Sequence, residues 1–342
     1  MTATNHSANQ GRVPAQGVPA QQMPTTAPAA PVQAVPVPAQ AAYAQAPAAA
    51  QAAYAQGAPV PAQQGQVLQA PHGQVPAQQR ASRRRVQAKQ TFFSVFRSEW
   101  SKLASLRSTW ITAAIASLIT IGISVLIMAQ YVGTKGYADK AANYLTVGSS
   151  FGQIAVAVLG ALLITGEYSS GQIRSSLAAV PRRGRLFAAK ALVVAIFSAL
   201  LGLVTVALTY LLSLPILGDK AGSLSNPEYL GFFWGTAMAF AIIGLMAMSF
   251  GYILRSTAGS ISLVVVLLFV LLIPLGLAAS KWEWVRYITD VLPSSSAAAV
   301  ADPYHLLGTI TKLDHGAVIA SGYAWAIIPM IIAFFVFSKR DA

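Results

Sequence analysis

Apolar and polar positions fall in long blocks along this chain. Six runs lack any Asp, Glu, Lys, Arg or His: residues 109–130, 145–165, 191–214, 230–254, 257–279 and 317–337. Each is long enough to cross a hydrocarbon core of about 30 Å as a helix rising about 1.5 Å per residue. A membrane barrel would need strands of about 10 alternating residues, and the runs show no such alternation. The pattern therefore predicts six transmembrane helices. Pro215 lies just past the third run and predicts a stop. Pro274 and Pro329 lie inside runs and predict kinks. Small residues recur four apart: Gly148 and Gly152, then Gly231, Gly235 and Ala239, then Ala247 and Gly251. Such spacing lets helix backbones approach closely, within one bundle or between subunits.

Before the first run the pattern changes period. At helical spacing Phe92, Phe96, Trp100, Leu103, Leu106 and Trp110 share one side, and Ser94, Ser98, Ser101, Lys102 and Ser105 the other. This predicts an amphipathic helix suited to the membrane interface. Glu99 projects near the apolar side, where it pairs with Lys102 one turn on or meets a partner group.

Residues 1–90 have no such periodicity. Val-Pro-Ala-Gln recurs from Val13, Val18, Val37, Val60 and Val75, and Gln-Ala-Ala-Tyr-Ala-Gln starts at Gln40 and Gln51. This composition predicts a disordered cytoplasmic tether, or a docking arm with Tyr43 and Tyr54 as contact points. A basic run at Arg80, Arg83, Arg84, Arg85 and Lys89 suits anionic lipid headgroups. The expected organisation is thus a low-complexity tail over 1–90, an interfacial helix over 91–108 and an all-α six-helix domain over 109–342. No secretory signal precedes the first apolar run.

Composition sharpens the picture. Of 342 residues 55% are hydrophobic and only 10% charged, whereas soluble domains carry about 25% charged residues. The net charge of +13 is explained by sidedness rather than by nucleic acid. With the N-terminus inside, 17 basic residues face three acidic ones in the cytoplasm, and six face seven outside. Lysine and arginine segregate in this way in multi-pass inner-membrane proteins, so both termini are expected in the cytoplasm. On this topology positions 138, 222 and 296 lie outside and position 178 inside.

The chemistry that is missing narrows the function. There is no cysteine, and the histidines at 6, 72, 305 and 315 have no metal-ligand spacing. No GxxxxGK[ST] loop, serine elbow or HExxH helix occurs, so the chain is not expected to hydrolyse ATP, to act as an enzyme or to hold a cofactor of its own. Apolar runs without ionisable residues offer no obvious means of coupling to an ion gradient.

The most distinctive stretch is Gly-Glu-Tyr-Ser-Ser-Gly-Gln-Ile-Arg-Ser-Ser-Leu-Ala-Ala-Val-Pro-Arg-Arg-Gly-Arg over 166–185, continuing to Lys190. Glu167 follows an apolar run, where a bare carboxylate is costly unless a cation meets it. Arg107, Arg174, Lys190 or a docked partner are candidates. Gly171 permits a tight change of direction, so residues 172–179 can lie along the membrane surface. Through Glu167, Gly171, Pro181, Arg183 and Lys190, this stretch resembles the loop between the second and third spans in permease subunits of type-2 ABC exporters. The segment before the first run, with Phe96, Glu99, Trp100, Lys102 and Arg107, looks like that family's interfacial helix.

The resemblance covers about 92–342 and implies a mechanism. Two permease chains, identical or different, would enclose a pathway. A separate cytoplasmic ABC ATPase would supply ATP and Mg. The loop, including Gln172 and Arg174, would couple the two. Arg182, Arg183 and Arg185 also read as positive-inside anchors. Ser149, Ser150 and Gln153 in the second span and Ser260 and Ser262 in the fifth are candidates to line the pathway, or to make hydrogen bonds between helices. Competing functional readings are a channel or carrier independent of ATP, and a membrane scaffold presenting the repeat tail.

Overall fold

A computed structural model of the chain describes residues 91–339. The readings of the repeat tail, of Tyr43 and Tyr54, of the basic run over 80–89 and of the last three residues fall outside them. Six helices are long and apolar enough to cross a membrane: Arg107–Val132, Ala138–Ser169, Arg183–Lys220, Pro227–Leu254, Thr257–Ala279 and His315–Lys339. No strand occurs among the described residues. The chain is an all-α, multi-pass membrane protein, as the apolar runs predict.

The first helix, α1 (Phe92–Ser105), starts at Thr91, whose hydroxyl accepts the Ser94 N–H at 3.3 Å. It is shorter than expected. Leu106 is extended, with φ −79° and ψ 121°, and α2 (Arg107–Val132) begins at once after it. Trp110 therefore belongs to the first span and does not continue the α1 face. Sequence periodicity carried straight through Leu106 because its side chain fits the stripe while its backbone breaks it. The buried positions of α1 are Val95, Glu99 and Leu103, four residues apart, so the packed stripe is offset from the expected aromatic one. Trp100 and Trp110 both set their rings edge-on to Phe197.

The second span enters through a 3-10 segment, Ala138–Thr146, and continues as α3 (Ser149–Ser169). A short helix, α4 (Gln172–Ala179), leads to the third span, α5 (Arg183–Leu217). Pro215 does not stop α5, which runs two residues further. A proline removes only its own N–H bond, and this close to a helix end the remaining carbonyls are unpaired in any case.

The fourth span, α6 (Pro227–Leu254), is the most buried of the six and packs against α3 and α5. The fifth is divided into α7 (Thr257–Val265), a π-turn over Val266–Val270, and α8 (Leu272–Ala279). The expected kink at Pro274 takes this form. Pro274 cannot donate to the Val270 carbonyl, and the Leu271 N–H reaches back to Val266 at 3.0 Å, a five-residue step. This span is the least buried.

Past α9 (Val285–Asp290) comes α10 (Pro293–Ala301), which is buried against α6 and the last span, α11 (His315–Lys339). The helix α11 runs unbroken through Pro329. Charge patterning placed position 296 outside, and the structure buries α10, the helix that carries it, against two spans. Glycines admit it on both sides. A Cβ at Gly235 would stand 2.5 Å from the Val300 carbonyl oxygen, and one at Gly322 would stand 3.0 Å from Val300 Cγ2. Ser296 is fully buried and Gly222 abuts the Tyr229 ring, so neither suits surface labelling. Thr134, Ser225 and Thr309 are exposed.

The small-residue spacing proves to be internal packing. Gly148 and Gly152 of the second span lie against Thr120 of α2, Gly160 against the Gly244 backbone, and Gly251 against Ile164.

Candidate functional site

Four charged side chains from three long elements meet at the Glu167 end of the bundle. Lys190 of α5 has no exposed surface. Its ammonium donates to Glu99 Oε2 at 2.5 Å and to Glu167 Oε1 at 2.6 Å. Lys102 donates to Glu99 Oε1 at 2.7 Å and to Glu167 Oε1 at 3.2 Å. Two carboxylates and two ammonium groups thus form a closed, neutral set joining α1, α3 and α5. Removing charges from water is costly, and such a set survives burial only when every member is paired.

The short helix α4 joins the set through one hydroxyl. Ser176 accepts from Lys102 Nζ at 3.1 Å and donates to Glu167 Oε2 at 3.4 Å. Local sequence places it there. The helix α3 ends at Ser169 with Ser170 as its cap, and Gly171 takes a left-handed φ of 70° that turns the chain. In α4, Ile173 and Ser176 lie three residues apart and are the buried positions. Gln172, Arg174, Ser175, Ala178 and Ala179 are exposed. Val180 is forced out of helical geometry before Pro181, and α5 then starts at Arg183. The exposed face of α4 carries one cation, Arg174, which makes no ion pair among the described residues.

Lys102 lies outside the spans. Burial pulls its pKa down, but hydrogen bonding and attraction from Glu99 and Glu167 outweigh this and leave it raised above 10.5. It is therefore a cation at any physiological pH.

Of the three cations proposed for Glu167, the structure selects Lys190. Arg107 is exposed in the first turn of α2 and stays out of the set, as does Arg174. Both readings of Glu99 hold together: it pairs with Lys102 and also meets Lys190. Sequence reasoning did not connect Lys102 to Glu167, 65 residues away, or Ser176 to either of them. Arg183 donates to the Phe337 and Ser338 carbonyls, each at 3.2 Å, at the C-terminus of α11. Favourable charge at a helix C-terminus fits its anchor reading. Arg255, not singled out from sequence, lies 5.0 Å from the centre of the Tyr168 ring. Phe96 stacks between Phe93 and Trp100 on α1.

The candidate lining residues differ in exposure. Ser149 and Gln153 are buried and Ser150 half-buried, and the Gln153 amide donates to the Ser150 carbonyl at 2.7 Å. Ser260 is fully buried and donates to the Ser256 carbonyl at 2.7 Å. Both bonds are local to the chain and do not cross between helices. Ser262 is exposed.

No group of three or more potential metal-ligating side chains occurs among the described residues. The arrangement is suited to transmitting force, because four elements share one polar joint. No curated protein matches the chain. The model of the family described as ABC-2 family transporter protein matches residues 95–271, just over half of the sequence. The match takes in all four charged residues and the whole of α4.

Proposed function

The chain belongs to the ABC-2 family of transporter proteins, a membrane permease by family and by its six apolar helices, and on that premise we propose that it is the pathway-forming subunit of an ATP-driven exporter. In this reading two permease chains pair, α4 faces the cytoplasm, and a separate ABC ATPase binding ATP and Mg docks on the exposed side of α4. Both termini lie on the cytoplasmic side of the plasma membrane, as lysine and arginine segregation supports. ATP hydrolysis belongs to the partner.

The observation that carries the reading is the joint between Ser176 and the Glu99–Lys102–Glu167–Lys190 set. A push on α4 is passed through Ser176 to residues held by α1, α3 and α5, so a docked partner moves three elements together. Arg174 stands on the outer side of α4 as the charge a partner would meet, whereas Glu167 and Lys190 are inside the joint and Gly171, exposed, turns the chain into α4. Pro181 limits how far α4 can extend towards α5.

Extraction of the full chain in mild detergent tests the reading. An ABC ATPase is expected to copurify, and hydrolysis to be lost when the chain is stripped of it. Arg174→Glu should weaken copurification, while Glu167→Gln should retain it and uncouple hydrolysis from transport. Hydrolysis by the stripped chain, or failure of any ATPase to copurify, contradicts the proposal.

A further inference from the structure

Beside the charged set lies a cavity of about 430 Å³, bounded by α1, the first turns of α2 and the adjoining end of α3. The transporter reading makes no use of it. Its walls are of two kinds. Leu103, Leu106, Leu159 and Leu162 make an apolar side, and Lys102 with the hydroxyls of Ser108 and Thr112 makes a polar one. Leu106 and Leu162, exposed by 50% and 37%, edge its mouth, which opens beside two membrane-spanning helices. A two-sided cavity of this size at the edge of a bilayer suits an amphiphile, with its chain on the leucines and its head by the lysine.

The sign of the head follows from the bonding. Glu99 and Glu167 also border the cavity, but each is already held by both Lys102 and Lys190, so a cationic head would meet carboxylates whose charge is already neutralised. The lysine is the accessible charge: its side chain is 32% exposed, against 3% and 7% for the glutamates. Two of its three bonds are long, 3.2 Å to Glu167 and 3.1 Å to Ser176. An incoming anion can take these over, because Glu167 keeps Lys190.

We propose that this cavity binds the phosphate headgroup of an anionic membrane phospholipid, which competes with Ser176 for Lys102 and so slackens the tie between α4 and the rest of the joint. The binding stands on the cavity alone, and its effect on coupling rests on the transporter reading.

Native mass spectrometry of the purified full chain tests the binding, with phosphatidylglycerol and phosphatidylcholine as competing probes and no ATPase present. One basic side chain near a lipid headgroup supports a preference of about fivefold. Phosphatidylglycerol is therefore expected to be retained about fivefold over phosphatidylcholine. Lys102→Met should bring the two near parity. Leu162→Trp or Ser108→Leu, which fill the mouth and leave the four charges in place, should reduce retention of both lipids. Equal retention by the unaltered chain overturns the proposal. So does a phosphatidylglycerol preference that survives both Lys102→Met and Ser108→Leu, since the lipid would then sit elsewhere, on the basic run over 80–89 for instance. Displacement by glycerol phosphate as readily as by a short-chain phosphatidylglycerol would show a soluble anion site and overturn the lipid assignment. Failure of an ATPase to copurify contradicts the transporter reading and leaves these results standing.

Discussion

Lys190 sits fully buried between two carboxylates, and its replacement leaves Glu99 and Glu167 sharing Lys102 alone. Removing one member of a buried ionic set costs about 3–5 kcal/mol. Lys190→Met should lower the thermal stability of the detergent-purified chain by that order. Adding Glu167→Gln removes the excess charge, so the double variant should recover part of the loss. Equal stability of Lys190→Met and the unaltered chain would mean that the set does not hold the helices together. The pH dependence of the set has a definite sign at Lys102. A lysine with a raised pKa contributes stability that is fully present below its unfolded value and lost as pH rises through the folded one. The unfolded value is near 10.5, so the Lys102 contribution is constant through neutral pH and disappears only in strong alkali. Glu99 and Glu167 stood out in the sequence because a carboxylate beside apolar residues demands a partner. Their shared use of two lysines was hidden, since it depends on α1 and α3 meeting across 65 residues of chain.

At the scale of elements, glycine contacts separate helix packing from helix propensity within the single helix α3. A Cβ at Gly160 would stand 2.3 Å from the Gly244 carbonyl oxygen, where backbone cannot yield, while one at Gly166 meets nothing within 4 Å. Gly160→Ala should therefore force α3 and α6 apart and lower thermal stability. Gly166→Ala should be neutral or raise it, by up to about 1 kcal/mol, through helix propensity. Comparable losses at both positions would contradict this packing. The apolar runs made the spans legible because a bilayer demands uninterrupted hydrophobic length. They understated the helix ends, since a run stops at its first charge. Glu167 and Lys190 lie within the helices, and their burial is tolerated because each has partners of opposite charge. The boundaries of α4 were legible from Gly171 and Pro181, one turning the chain and the other breaking the helix. The burial of α10 was not, because Ser and Ala at 294–301 suit a polar loop and a tightly packed helix equally.

At the scale of the molecule, the joint and what would drive it are separate. The bundle holds the joint, with α6 at its centre and α1, α3 and α5 meeting at the four charges. On the proposed reading an ABC ATPase docks on α4 and drives it. The chain has no cysteine, so single introduced reporters are unambiguous. Ala178, exposed on α4, and Ser225, exposed between α5 and α6, should face opposite sides of the membrane. The most direct test is photo-crosslinking in intact membranes from an unnatural photoreactive side chain placed at each in turn. The account predicts that position 178 captures an ABC ATPase subunit and position 225 does not. Capture from 225, or no ATPase captured from 178 in a membrane where the chain is inserted and folded, would contradict it.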